Sequence, residues 1–379
     1  MRPRIHLALV DDWEVRGNGS GDPRILQFAP MRRLTEIYAK HAIRGSFNVE
    51  VMQQLTYRDF EGRFPELRAV ADEWDRVVQD SFRQGHDMQL HLHPQWTAPE
   101  YEGEGRWKLH GDWSIINYSP QQIRDLLVRG KQYLETLLRT VDAAYTCISF
   151  RGGSWCAAPS DCLFSILAEL GIIFDMSIVA GIRIDTPQIK LDYSRCEEPF
   201  LPYYPEMCDA RRVSPTEQAL ICLPTHSFGG ARMALLRRDL GKARMAVRKR
   251  MERLGNGGRN AHLSRGRADD WTNPGESGIV GLARRMRKRY IQGQTHISDL
   301  SRMNYAMMRC MMASIRKQAA ESGLEDVPVI LENHTKDIHD FSDIERFLDD
   351  VARSTDVKTV TLTELANGLR DGTFKVRTR

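Results

Sequence analysis

Two histidines separated by one residue stand in the segment QLHLHP, residues 89–94. On an extended strand successive side chains alternate between faces, so His91 and His93 project together while the two leucines point to the opposite side. Two imidazoles on one face are a metal-ligand spacing, and together with a carboxylate they suit zinc and other first-row divalent ions. The alternative is a pair of polar residues on a solvated strand end.

A hydrophobic run, IHLALV at residues 5–10, leads directly into Asp11 and Asp12. Aspartate often caps a turn, which is the structural alternative, but a buried strand that ends in two carboxylates favours a reactive site. Because neighbouring strand side chains diverge, the two aspartates cannot share a role. One would bind the metal while the other contacts the attacking water.

Hydrophobic runs alternate with amphipathic helical patterns along the chain, which predicts βαβ units and a mainly parallel sheet. Strands are predicted at residues 5–10, 45–51, 87–94, 145–150, 172–179, 219–226, 327–334 and 357–362. Helices are predicted at residues 30–42, 67–83, 119–140, 160–171, 304–321 and 341–353.

The reactive side chains fall at or just past the carboxyl ends of these predicted strands. They are Asp11, Asp12, His91, His93, Arg151, Asp175 and His334. A closed (β/α) barrel gathers such ends on one rim, where barrel enzymes carry their chemistry. An open doubly wound sheet would usually have a glycine-rich loop after its first strand, whereas this strand ends in carboxylates. We therefore favour a barrel.

The composition is that of a globular protein, with 41% hydrophobic and 27% charged residues among 379. It excludes collagen-like and disordered classes, and no apolar run approaches the ~20 residues of a membrane-spanning helix. The apolar run near the first residue is too short for a signal peptide, so we predict a cytoplasmic protein. Seven cysteines without a CxxC pair argue against a disulfide framework and a zinc ribbon.

Charge is unevenly placed along the chain. Residues 232–289 hold 17 Lys and Arg against 5 Asp and Glu, a local balance of +12, so the remainder carries −8. Apolar residues at helical spacing within this block predict an amphipathic helix. We predict a basic, mainly helical insertion at 229–293 in a barrel formed by 1–228 and 294–379. It would contact nucleic acid, an anionic membrane or an acidic substrate, or be a solvated insertion without a partner.

The order of these elements and motifs resembles the polysaccharide deacetylase family, the NodB-like carbohydrate esterases, which are metal-dependent deacetylases on a deformed (β/α) barrel. The family motif TFDDG is similar to LVDDW at residues 9–13, which implies Asp11 as the base and Asp12 as a metal ligand. The motif GHExxxHxxxHP is similar to GHDMQLHLHP at residues 85–94, which implies His91 and His93 as ligands.

Three later motifs extend the resemblance. In FRGGSW, residues 150–155, Arg151 would orient the base; in DMS, residues 175–177, Asp175 would tune acid or base; in LENH, residues 331–334, His334 would be the general acid. The resemblance covers about residues 5–228 and 294–368 and implies a barrel of about seven parallel strands that holds one divalent ion, with zinc favoured. The chain departs from the family in its histidine spacing and in Trp13-Glu14, which replaces the glycine of the first motif.

Four further residues are candidates for substrate contact. Glu14 would lie in the cleft, Trp96 and Trp155 lie in loops after reactive strand ends where aromatic faces suit sugar rings, and His226 ends a predicted strand. For the two tryptophans the structural alternative is packing of the loop onto the barrel, and for His226 it is simple solvation. The segment QTHISD, residues 294–299, offers His296 and Asp299 as further candidates.

These features predict a metal-dependent hydrolase that removes an acetyl or other acyl group from an amino sugar, in surface-polysaccharide or glycan-precursor metabolism, with a carbohydrate or nucleotide-sugar substrate. The substrate class follows from the resemblance. The alternatives are another metal-dependent amide or ester hydrolase on the same barrel, and a catalytically silent module that binds carbohydrate or an anionic partner.

Overall fold

Eight parallel strands form one sheet in the computed structural model, which describes residues 3–229, 295–338 and 340–379. Nearly all of the predicted basic insertion, with its predicted helix, therefore lies outside the described residues. The strands are β1 (Arg4–Trp13), β2 (Ser46–Glu50), β3 (Asp87–Leu92), β4 (Ser149–Gly152), β5 (Phe174–Asp175), β6 (Ile221–Cys222), β7 (Asp326–His334) and β8 (Val357–Val360).

The sheet has the order β6-β5-β4-β3-β2-β1-β7, and β8 pairs with the first half of β1. Just after β6, Thr225 forms a parallel bridge with Ile330 of β7. The two edges of the sheet therefore come close together, and the sheet is nearly closed. This confirms the prediction of a deformed (β/α) barrel with about seven parallel strands.

Helices cover the outside of the sheet, and a π-helical turn at Arg24–Phe28 leads into the first of them. They are α1 (Ala29–Lys40), α2 (Val51–Phe60), α3 (Glu66–Arg83), α4 (Pro120–Arg139), α5 (Leu163–Glu169), α6 (Tyr305–Ser322), α7 (Ser342–Ala352) and α8 (Leu362–Arg370). A capping box of Ser119 and Gln122 starts α4. Among the described helices, none has the length and apolarity that a membrane crossing requires.

Short antiparallel hairpins lie in the loops between these elements. They pair Pro99–Gly103 with Arg106–Leu109, Arg183–Asp185 with Lys190–Asp192, Pro205–Glu206 with Asp209–Val213, and Ser227–Phe228 with His296–Ile297. The last hairpin joins the two flanks of the predicted insertion.

The two faces of the sheet differ in polarity where the site forms. Ala8 and Val10 of β1 pack with Ile330 and other residues inside the barrel, whereas Leu7 and Leu9 pack with helix residues in the larger core. On the neighbouring strands the apolar residues that join the larger core alternate with polar ones. The polar residues are Ser46, Asn48, Gln89, His91, Ser149 and Arg151, all buried. The barrel interior is therefore polar at this end, and its side chains converge.

Candidate active site

A narrow pocket opens at the carboxyl ends of the strands, where the inner rows of side chains meet. Its lining comes from the ends of β1, β3, β4 and β7, from the loops that follow these strands, and from the segment just before α6. The residues are Asp12, Glu14, Gly17, His91, His93, Trp113, Gly152, Ser154, Trp155, Arg302, His334 and Lys336. Of the seven predicted catalytic and ligand residues, four line this pocket: Asp12, His91, His93 and His334.

Glu14, His91 and His93 form one tight group of potential metal ligands. The Nε2 atoms of the two histidines lie 3.0 Å apart. The Glu14 Oε2 atom lies 3.2 Å from the His91 Nε2 and also contacts the His93 Nε2. The Nδ1 atom of His91 faces the carbonyl oxygen of Arg151 at 2.9 Å. Because a carbonyl only accepts, this Nδ1 carries a proton, and Nε2 is the ring nitrogen that faces the group.

Charge within the group is balanced by neighbours. The Lys336 ammonium donates to the Glu14 Oε1 at 2.6 Å. Burial alone would raise the pKa of Glu14, but the charges of His93 and Lys336 hold it well below its ordinary value. Burial likewise opposes protonation of His91, yet Asp12 and Glu14 raise its pKa to about 9. The group therefore joins two nitrogens and one anionic oxygen, a donor set that suits a divalent zinc-like ion.

Asp12 forms a buried ion pair with Arg151. One guanidinium nitrogen lies 3.1 Å from each carboxylate oxygen, and the Asn48 amide donates to the same carboxylate at 2.8 Å. Against the effect of burial, the Arg151 charge lowers the pKa of Asp12. Arg151 is anchored further by a 2.9 Å bond to the Thr225 hydroxyl.

Asp11 points away from this pocket because it follows the opposite row of β1. Its carboxylate accepts from the Asn333 amide, and burial together with the Asp12 charge raises its pKa to about 7. Arg151, which the resemblance implies as the residue that orients the base, contacts Asp12 and not Asp11, because the alternation of strand side chains turns Asp12 and Glu14 inward together and Asp11 outward.

His334 stands across the pocket from the histidine pair. Its Nδ1 atom lies 3.0 Å from an Asp299 oxygen, and its Nε2 atom lies 3.8 Å from the Asp12 Oδ2. Burial would lower the pKa of His334, but Asp299 and Glu332 raise it to about 10. The imidazole is therefore held in its protonated form. Asp299 was a candidate for substrate contact in the sequence, and here it is the partner of His334; Glu332 was not singled out.

Several predicted site residues lie outside the pocket. Asp175 is buried and accepts from the hydroxyl (2.7 Å) and the amide (3.1 Å) of Ser177; burial raises its pKa to about 7. Trp96 packs edge-on against Tyr57 in an aromatic cluster. His226 is buried, with its ring nitrogens 2.6 Å from the Ser298 hydroxyl and 3.0 Å from the Gln318 amide. His226 is thus not among the described residues that line the pocket.

No family model matches the sequence, and no curated protein matches it. Solved structures with a similar fold include a protein from Mycobacterium smegmatis described as a polysaccharide deacetylase, with 15% identity over 100% of this chain and 94% of that chain at a TM-score of 0.49. A protein from Pseudomonas aeruginosa PAO1 with the same description has 11% identity over 99% of this chain and 94% of that chain at a TM-score of 0.44.

A third similar structure is that of Puue allantoinase, with 10% identity over 98% of this chain and 91% of that chain at a TM-score of 0.45. At these identities the likeness concerns the fold, and the functional argument below rests on the side chains of this chain.

Proposed function

We propose that this protein is a metal-dependent hydrolase that removes an acyl group, acetyl in the simplest case, from the nitrogen of an amino sugar. The observation that carries the proposal is the meeting of three arrangements in one pocket. They are the ligand group of Glu14, His91 and His93, the buried Asp12–Arg151 pair, and the protonated His334 backed by Asp299.

Glu14, His91 and His93 would hold one divalent ion, for which zinc is the best match to two imidazoles and a carboxylate. Such an ion lowers the pKa of a coordinated water toward about 7 and polarises an acyl carbonyl. This ligand set differs from the one that the sequence resemblance implies, because Glu14 takes the place expected of Asp12. Lys336 orients Glu14 through Oε1, the carboxylate oxygen that does not contact His91 or His93.

Asp12 would accept the proton of the attacking water, the role that the resemblance implies for Asp11. Arg151 keeps its carboxylate ionised and oriented. His334 would donate a proton to the departing amine, and Asp299 keeps that proton on the imidazole before the reaction. General acid and base assistance of this kind contributes about 10² to 10⁴ in rate. Asp175, whose charge lies near Arg151, would act through that guanidinium.

The amino-sugar substrate is supported by the motif resemblance and by the two indoles in the pocket lining, Trp113 and Trp155, since aromatic faces suit sugar rings. Hydrolysis of a different amide or ester is the second candidate, because the same groups serve any acyl carbonyl. A silent binding module has no use for Asp12, Arg151 and His334 together. A cytoplasmic location and an anionic partner at residues 229–293 remain predictions from the sequence.

The test is acetate release by the full-length protein loaded with zinc, with an N-acetylglucosamine tetrasaccharide and a panel of N-acetylated amino sugars as probes. We expect one zinc per chain, turnover on at least one probe, and loss of both after chelation. His91→Ala should lose metal and activity, whereas His110→Ala, an exposed histidine paired with Glu100, should keep both. A protein that binds no divalent ion, or whose ion does not depend on His91, would overturn the proposal.

A further inference from the structure

The pocket wall after β4 has an unusual backbone. Ser154 and Trp155 both have a φ of 57°, in the left-handed region that residues with a Cβ atom rarely adopt. Two such residues in succession persist only where surrounding contacts hold them in place. The Trp155 side chain lines the pocket, and its ring centroid lies 6.0 Å from that of His334 in an edge-on arrangement.

Two contacts hold Trp155 in this conformation. The Tyr193 hydroxyl donates to the Trp155 carbonyl oxygen at 2.6 Å. The indole N–H donates to the two carboxylate oxygens of Glu332, at 3.1 and 3.2 Å. The first contact fixes the main chain and the second fixes the ring, so the orientation of the indole in the pocket depends on Glu332.

Glu332 is fully buried, and its carboxylate contacts two more groups besides Trp155. One of its oxygens lies 3.4 Å from the His334 Nε2 and 3.4 Å from a guanidinium nitrogen of Arg151. It stands two residues before His334 on β7, in the same inward-facing row, and it is not among the described residues that line the pocket. A single buried carboxylate therefore touches the aromatic wall, the proposed acid and the partner of the proposed base.

From this juxtaposition we infer that Glu332 is a positioning residue, which fixes the indole of Trp155 and the imidazole of His334 relative to each other so that both face the substrate. The inference rests on the proposed function for its catalytic meaning. Glu332 itself does not touch the substrate. Its acceptor oxygens act on the indole, and the same carboxylate contacts Arg151 and His334.

The experiment compares Glu332→Gln, which keeps an acceptor oxygen for the indole, with Glu332→Leu, which removes it. Both are made alone and in a Trp155→Phe background, which keeps an aromatic ring but lacks the N–H. In zinc-loaded full-length protein we expect Glu332→Leu to lower kcat at least tenfold with KM changed less than threefold. Glu332→Gln should recover most of that loss. In the Trp155→Phe background the effect of Glu332→Leu should shrink at least threefold, because the bond is already absent.

A second readout needs no substrate. The difference in tryptophan emission between wild type and Trp155→Phe isolates this one indole, and acrylamide should quench it more strongly in Glu332→Leu than in wild type or Glu332→Gln. Equal quenching in all three, or an undiminished effect of Glu332→Leu in the Trp155→Phe background, would overturn the inference. If the wild-type protein hydrolyses no probe, the proposed function fails while the quenching experiment still decides whether Glu332 fixes the indole.

Discussion

Asp12 and Asp11 are adjacent carboxylates on opposite faces of β1, which makes them a matched pair for testing the assignment of the base. Asp12→Asn removes the proton acceptor but keeps an oxygen for Arg151. We expect kcat to fall by about 10² to 10⁴, the usual contribution of a general base, or about 3 to 5 kcal/mol of barrier at 1.36 kcal/mol per tenfold. Zinc content should not change, because the proposed ligands are Glu14 and the two histidines, whereas Asp12 belongs to a separate potential ligand group with Glu332 and His334.

The stability of the same variants gives an independent measure. Asp12→Asn leaves Arg151 buried with a weakened partner, and a disturbed buried hydrogen bond of this kind costs about 1 to 3 kcal/mol in the free energy of unfolding. Asp11→Asn changes a carboxyl that faces the larger core between the sheet and the helices, so the kcat of this variant should stay within threefold of wild type.

Steady-state acetate release, metal analysis and urea unfolding of both variants make the comparison. If Asp11→Asn lost as much activity as we expect of Asp12→Asn, the assignment of strand faces would be refuted. A loss of zinc in Asp12→Asn would instead return that residue to the ligand set implied by the sequence resemblance.

Three further results are expected. Glu14→Gln should weaken zinc binding at least tenfold in a chelator competition, and unchanged affinity would remove Glu14 from the ligand set. Because the folded pKa of His334 is raised from 6.5 to about 10, its contribution to stability is complete below pH 6.5 and is lost as pH rises through about 10. Urea unfolding of the metal-free protein should show this fall in wild type but not in His334→Gln; parallel profiles would contradict it. If the predicted insertion at 229–293 recruits an anionic substrate, KM should rise with salt as the Debye length shrinks from about 10 Å at 0.1 M to about 3 Å at 1 M, and charge reversal at positions 248–250 should raise it without loss of zinc; salt-independent kinetics with an unaffected variant would leave a solvated insertion.

Periodicity alone predicted most of the barrel, and the misses have physical causes. Helix α2 was not predicted because Gln53, Gln54 and Thr56 are buried polar residues, which hide the apolar stripe. Its start is fixed by Glu50, whose carboxylate accepts from the first backbone amides of the helix. Helix α8 was also missed, although Thr361 and the residue three positions later form a readable capping box.

The site shows where strand alternation informs and where it does not. It correctly placed His91 and His93 on one side of the strand, because Leu90 and Leu92 alternate with them and supply the apolar side. It also stated that Asp11 and Asp12 diverge, but β1 is buried on both faces, so the pattern could not tell which of the two faces the pocket. For the same reason the sequence did not show that Glu332 faces the interior: the strand that carries it is also buried on both faces.

The hairpin between Ser227–Phe228 and His296–Ile297 fixes the two ends of the chain segment 229–295 side by side. Loop-closure entropy grows only with the logarithm of length, at about 0.6 kcal/mol for each doubling. Replacing the whole segment by a four-residue turn would remove about four doublings, or roughly 2.5 kcal/mol of closure cost. The barrel therefore carries this long segment at a modest entropic penalty, and Asp299, which holds the proton on His334, follows only two residues after the hairpin. A chain with this segment replaced by a short turn should keep the hairpin pairing and fold at least as readily. A loss of hydrolysis in that chain would then reflect a role of the segment in substrate recognition and not a folding defect.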